Sequence, residues 1–365
     1  MSVRDTDVIV VGLGIHGSAA AYELARRGVG VIALDQFEEG HRRGSSHGRT
    51  RMIRRAYPHP VWNDLVARAF DGWERWSSAG GRTLVRRTGG LYAHRGVAQL
   101  QGPGCELVED PERMRELMPA FAVPGGFRAV HDPSAGVVEA TTALEVARAG
   151  ARVAGAELAF GERVLSWALA GGGVVVDTDR RTLRAGRLVL AAGAWAGRVL
   201  PRLANRFEVW RIVTATLRAG QEVGTPPALG AFSVDRPEGL VFGIPDAAGN
   251  GIKVGVDAGP VWDPDQPPTP PTAAEVATLV DLITGYVPGV DPDVVEATSC
   301  LYTMTEDRRF LLGRLPGQPA VVVAAACSGH GFKFGPAVGE AVADLATGVD
   351  RPDLDFIGVD RLAVQ

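Results

Sequence analysis

The chain has 365 residues, 46% hydrophobic and 22% charged, enough apolar material for one large core or two modest ones. Its 42 acidic and 38 basic residues nearly balance, and no run of like charges stands out, so a nucleic acid or an anionic membrane has no electrostatic footprint here. No stretch approaches the roughly 20 apolar residues of a membrane span, the opening Met-Ser-Val-Arg-Asp-Thr-Asp lacks the pattern of a secretory leader, and Cys105, Cys300 and Cys327 show neither disulfide nor zinc spacing. The expected setting is a reducing cytoplasm.

The first element is an apolar run of strand length, Asp7-Val-Ile-Val-Val-Gly12, followed from Leu13 to Arg27 by apolar residues at helical spacing until Gly28 stops the pattern. Val29 to Leu34 is a second strand run and ends at Asp35. This predicts a βαβ unit whose turn, Gly12-Leu-Gly-Ile-His-Gly17, has glycines where tight turning, approach to a pyrophosphate and helix-to-strand packing require them. Asp35, about 20 residues on, stands where a ribose hydroxyl is accepted, so Gly12, Gly14, Gly17 and Asp35 are expected to bind a dinucleotide.

Later segments read as returns to the same domain. Val174 to Asp177 is a short strand run, and Gly186 to Trp195 is a buried strand ending in small residues. Near the end, a strand from Ala320 to Ala326, the turn Cys327-Ser-Gly-His-Gly331 and a helix from Pro336 to Gly348 repeat the strand, glycine turn and helix order. Between these lie short β-like runs, Gly89 to Ala93, Val209 to Leu217 and Gly239 to Ile244, with turns rich in Pro and Gly, and the proline-rich connector Asp263 to Pro271. The predicted fold is α/β: a Rossmann-like nucleotide-binding domain assembled from 1–85, 137–206 and 298–365, with a second, mostly antiparallel β-sheet domain from 86–136 and 207–297.

Lysine usage narrows the search further. Of 38 cationic side chains only Lys253 and Lys333 are lysines. Both sit in the pattern glycine, apolar, lysine, apolar, glycine: Gly251-Ile-Lys-Val-Gly255 and Gly331-Phe-Lys-Phe-Gly335. In an extended segment the apolar pair packs on one side and the ammonium points to the other. A compact ammonium differs from a forked guanidinium in size, hydration and ease of pKa shift, a physical reason for a site to accept only lysine. The segment Gly44-Ser-Ser-His-Gly-Arg-Thr-Arg-Met-Ile-Arg54 is read as a helical turn that faces Arg51 and Arg54 one way while Met52 and Ile53 pack elsewhere. Trp73 and Trp76, spaced like a helix face, are expected in the core, and Cys105 and Cys327 as small buried hydrophobes.

With these residues in view, the chain resembles the flavin-dependent amine oxidases of the monomeric sarcosine oxidase and N-methyltryptophan oxidase family, within the D-amino-acid-oxidase-like superfamily. The resemblance covers essentially the whole length. It rests on the first glycine turn with Asp35, the Gly44 to Arg54 segment, Gly251 to Gly255, Cys300-Leu-Tyr-Thr303, and Cys327-Ser-Gly-His-Gly-Phe-Lys-Phe334.

The resemblance implies FAD, held covalently by a thioether from Cys300 to the flavin 8α carbon, with Gly329, Gly331, Phe332 and Lys333 completing the cofactor site. It sets His47 and Arg51 against the flavin ring, Arg54 and Lys333 on a substrate carboxylate, and Tyr302 and His330 in the lining. Lys253 is implied near flavin N5, helping the reduced flavin convert O2 to hydrogen peroxide. The implied reaction is oxidation of a secondary amino acid, with hydride transfer to N5 giving an imine. Its partners are then a small amino acid and O2, with no nucleic acid, membrane or obligate protein partner. A free cysteine, with pKa about 8.5, needs cationic neighbours to become the thiolate such a bond requires; Arg51, Arg54 and the helix start near Pro336 are the candidates.

The chain departs from the family at Asp257, where a histidine four residues after the first lysine is usual. An acid there could pair with a protonated amine or polarise a ring nitrogen. Oxidation of a cyclic imino acid of the proline, pipecolate or piperideine-carboxylate type is therefore the alternative. A flavin amine dehydrogenase passing electrons to a protein acceptor is another. A nicotinamide-dependent dehydrogenase or a non-catalytic flavoprotein subunit accounts for fewer of the motifs.

Overall fold

A computed structural model describes residues 5–95, 100–220 and 222–363; residues 1–4, at the start of the segment considered for a leader, lie outside these. The strand Thr6–Val11 pairs in parallel with Val31–Asp35 on one side and with Thr182–Leu190 on the other, and helix Ile15–Ala25 makes the first crossover. The βαβ unit therefore forms as the apolar runs predict. Continuous apolar strands belong in a sheet covered on both faces. Here one cluster, around Val8, Val10, Ala19 and Val342, fills one face, and a second, around Ile9, Val11, Leu188 and Val321, fills the other.

The sheet is completed by Glu157–Phe160 beside Val31–Asp35, by the hairpin Val164–Ala170 with Gly173–Thr178, and by Gln318–Ala325, parallel to Thr182–Leu190, with Leu311–Leu315 outside it. The helix Gly335–Ala346 packs on Ile15–Ala25, and a Cβ on Gly339 would come within 2.7 Å of Ala19 backbone atoms, so this crossing exists only because the position is glycine. Trp73 and Trp76, on helix Asn63–Gly80, are each 1% exposed, as expected.

The second sheet has eight strands and is antiparallel except where Ala231–Val234 runs parallel to Gly90–His94. Its edge strand is Val294–Met304, paired along its length with Glu208–Leu217. The sequence boundary at 298 cut this strand in two; its register places all of it, including Cys300, in the second sheet. A small third sheet joins Thr50–Ile53, Gly136–Glu139 and Val85–Arg87.

Two local expectations change. The segment around Arg51 is strand rather than helical turn, because Arg51 and Met52 find partners in the β-branched pair Val138 and Val137. The segment Phe332–Phe334 is a short 3-10 turn rather than extended, and it places Phe332, Lys333 and Phe334 all in buried positions. No helix among the described residues is long and apolar enough to cross a membrane.

Candidate active site

In open parallel sheets ligands bind beyond the carboxyl ends of the strands. Here four such ends converge, at Val11, Asp35, Leu190 and Ala325, on a cavity of about 1670 Å³. That exceeds the roughly 300–1000 Å³ of an ordinary small-molecule pocket and suits a dinucleotide. Gly12 has φ +94°, and a Cβ there would enter the Ala191 backbone; one on Gly17 would enter the Gly12 carbonyl. Asp35 accepts the Leu13 N–H at 2.8 Å and the Phe37 N–H at 3.0 Å, so it braces the glycine turn as well as facing the cavity. Burial works against its charge, but the His41 ring and those two N–H groups outweigh it and hold the carboxyl below its ordinary range.

The loop from 44 to 49 lies against this turn. Ser46 Oγ accepts the Ile15 N–H at 3.0 Å, and Ser45 Oγ donates to the Leu301 carbonyl. Arg51 is largely engaged in the same loop, donating to the carbonyls of Thr50 at 2.7 Å and of Ser45 and His47 at 2.6 Å, with its guanidinium 5.2 Å from the Phe332 ring centroid. Both ring nitrogens of His47 are buried without a hydrogen-bond partner. Burial, then Arg51, Arg42 and Lys253, push its pKa down to about 3, so the ring is neutral and open to a ligand.

On the second sheet, Lys253, Thr216 and Glu296 form one row across three strands, and Cys300 and Tyr302 follow Glu296 at even spacing on the same face of their strand. Ile252 and Val254 are fully buried, as the glycine-flanked pattern predicts, and Lys253 points to the opposite side. Burial and the Arg51 charge lower its pKa to about 7. Cys300 is 7% exposed. Burial raises its thiol, with Arg51 and Lys253 working against that. The cations that act most on this cysteine are thus Arg51 and Lys253.

Arg54 follows the strand that carries Arg51 and reaches different rings, Tyr57 and Tyr92 where Arg51 meets Phe332. Arg54 lies between the rings of Tyr57 and Tyr92, at 5.3 and 5.1 Å, with no hydrogen-bond partner among the described residues. The buried Lys333 ammonium donates to Tyr57 OH at 3.2 Å and to the His330 carbonyl at 3.1 Å, while Trp73 Nε1 donates to the Lys333 carbonyl at 2.7 Å and fixes the turn. Burial and the Arg54 charge hold Lys333 well below its ordinary pKa. His330 bridges Tyr57 OH, at 3.2 Å, and the Arg308 carbonyl, at 3.1 Å; burial and Lys333 lower its pKa to about 3.

Gly329 packs edge-on to Tyr302, and a Cβ on it would lie 3.1 Å from Asp257 Oδ1. That oxygen is buried without a partner. Burial raises the Asp257 pKa, with Arg308, Lys333 and Arg54 opposing. Phe242 covers Gly255, between Lys253 and Asp257 along the strand.

The structure thus gathers Arg54, Lys333, His330, Tyr302 and Asp257 into one neighbourhood, and His47, Arg51, Lys253 and Cys300 into an adjoining one. Sequence reasoning missed Tyr57, Tyr92 and Phe242, which no spacing distinguishes from core aromatics. It also missed Asp132, fully buried, whose Oδ2 accepts the N–H groups of Arg55 and Ala56 and so fixes the chain just past Arg54. The two glycine turns and the unpartnered ring nitrogens of His47, all lining the cavity, form a cradle that fits FAD.

Comparison with known proteins agrees. The chain is 33% identical to a monomeric sarcosine oxidase of Streptomyces avermitilis, over 98% of both chains, and 30% identical to an N-methyl-L-tryptophan oxidase of Yersinia pestis, over 98% of this chain and 99% of that one. It is also similar to the open form of NikD, an unusual amino acid oxidase essential for nikkomycin biosynthesis, with a TM-score of 0.84, 26% identity and 98% of each chain covered. Residues 7–345 match DAO, the FAD dependent oxidoreductase family, and the chain belongs to that family.

Proposed function

We propose that this protein is a cytoplasmic FAD-dependent oxidase of a secondary amino acid of the N-methyl type, yielding an imine and hydrogen peroxide. The observation that carries the reading is Arg54, a cation stacked between two tyrosines without a hydrogen-bond partner among the described residues, beside the buried ammonium of Lys333. Two such cations facing one space suit a carboxylate, bidentate on the guanidinium. When bound, FAD supplies the two-electron acceptor for the hydride equivalent leaving the carbon next to nitrogen. Arg54 and Lys333 hold the substrate carboxylate, Tyr57 and His330 hold Lys333, and the aromatic wall of Tyr57, Tyr92 and Phe242 excludes water. Lys253 carries positive charge where oxygen reduction develops negative charge. Gly12, Gly14, Gly17, Asp35, Gly329, Gly331 and Phe332 hold the cofactor, and Cys300 attaches it covalently, aided by Arg51 and Lys253.

A second reading, oxidation of a cyclic imino acid, is favoured by Asp257, whose unpartnered Oδ1 faces the same neighbourhood as Arg54 and Lys333. The deciding experiment is an anaerobic screen of N-methyl and cyclic amino acids for bleaching of the flavin absorbance. Bleaching by N-methyl amino acids supports the first reading, bleaching by cyclic ones alone supports the second, and bleaching by neither sinks both.

A further inference from the structure

Arg42 lies at the rim of the cavity and forms a 2.6 Å ion pair with Glu296, and its guanidinium also donates to Thr298 Oγ1 at 3.1 Å. Glu296 sits in the same cross-strand row as Lys253, separated from it by Thr216, whose hydroxyl carries no charge. Lys253 makes no hydrogen bond or ion pair among the described residues. The carboxylate best placed to neutralise it is therefore the one that Arg42 already occupies. We infer that Arg42 and Glu296 are a positioning pair for Lys253: Arg42 draws the Glu296 carboxylate toward the 36–49 segment and leaves the ammonium unpaired. The inference rests on Lys253 serving the oxygen step.

The groups that act on Lys253 are Arg51 from the strand Thr50–Ile53 and Cys300 and Glu296 from the edge strand, with the neutral His47 ring of the 36–49 segment close enough to feel its charge. Arg42 also acts on His47, whose ring is already neutral, so the pair reaches Lys253 through the Glu296 carboxylate. Removing Arg42 frees an attracting carboxylate, which favours the protonated lysine. Removing Glu296 subtracts an attraction and does the opposite.

The test exploits the lysine count. Protein labelled with 13C only in lysine shows two side-chain environments, Lys253 and Lys333, assigned by Lys333→Met. Titration of the holoenzyme should show the Lys253 midpoint rising by on the order of half a pH unit in Arg42→Gln and falling by a similar amount in Glu296→Gln. The pH profile of reoxidation of the reduced enzyme should move in the same directions. Both variants moving the midpoint the same way, as a disturbed fold would, or neither moving it, overturns the inference. If the midpoints move as stated but Lys253→Met reoxidises at the wild-type rate, the oxygen role fails and the positioning pair stands.

Discussion

Lys333 is a lysine whose charge the protein alone does not favour: burial and Arg54 hold its pKa well down, and among the described residues its ammonium donates hydrogen bonds only to Tyr57 OH and a carbonyl. A carboxylate docking beside it adds a counter-charge and raises that pKa. Binding of a carboxylate inhibitor should therefore move the Lys333 midpoint up, read by 13C titration of lysine-labelled protein with and without the inhibitor; an unmoved midpoint would place the carboxylate elsewhere. Arg54→Gln or Lys333→Gln should lower kcat/KM for the carboxylated substrate by about 2–4 kcal/mol, or roughly 30- to 1000-fold. An equal loss on an amine lacking the carboxylate would assign both residues to the flavin or to folding. Covalent attachment has its own readout: acid precipitation should leave a yellow pellet from the wild type and a colourless one from Cys300→Ala. At this scale the sequence was legible wherever composition singled a residue out, as the arginine bias does for Lys253 and Lys333. Tyr57 and Tyr92 were illegible because an aromatic that stacks on a guanidinium carries no spacing that separates it from one that fills a core.

Between elements, glycine decides how closely chain segments approach. The helices Ile15–Ala25 and Gly335–Ala346 cross where Gly339 meets Ala19, and each follows a glycine turn at the cavity. Gly339→Val should force the helices apart, costing about 1–3 kcal/mol of overpacking strain. Because both turns move with their helices, thermal stability and flavin retention should fall together. Gly285, near the end of helix Ala273–Tyr286, has open space around it, and Gly285→Ala should instead stabilise the protein by up to about 1 kcal/mol. Differential scanning fluorimetry separates the two, and a neutral Gly339→Val would show that the crossing can relax. The pattern of apolar runs located both glycine turns, because a buried parallel strand followed by glycine has few other meanings. It misread Thr50–Ile53, where two arginines three apart suit either a helix or a strand, and only the partner strand decides.

For the molecule as a whole, the two sheets meet around three histidines that the fold keeps neutral. His16, with Nε2 3.2 Å from the Gly331 carbonyl, His47 and His330 have pKa values lowered by burial from 6.5 to about 4, 3 and 3. This junction was not legible in the sequence, because the boundary at 298 depends on the pairing of Val294–Met304 across some 90 residues of chain. It has a thermodynamic consequence with a definite sign. Above pH 6.5 each histidine is neutral in both folded and unfolded states and contributes no pH dependence. Below 6.5 the unfolded chain takes up protons that the folded protein refuses, so stability falls as pH falls, and the His16 share levels off below about pH 4. Each histidine can contribute a slope of up to about 1.4 kcal/mol per pH unit, and three together about 4 kcal/mol per pH unit. Urea unfolding followed at several pH values should therefore give midpoints that hold steady from pH 8 to 7 and drop steeply between pH 6 and 4.5, ahead of the carboxylate titrations that begin acid unfolding in most proteins. His16→Gln should remove about a third of that slope. A flat profile down to pH 5 would mean that these rings accept protons in the folded state, and that the junction admits water where the structure has it packed.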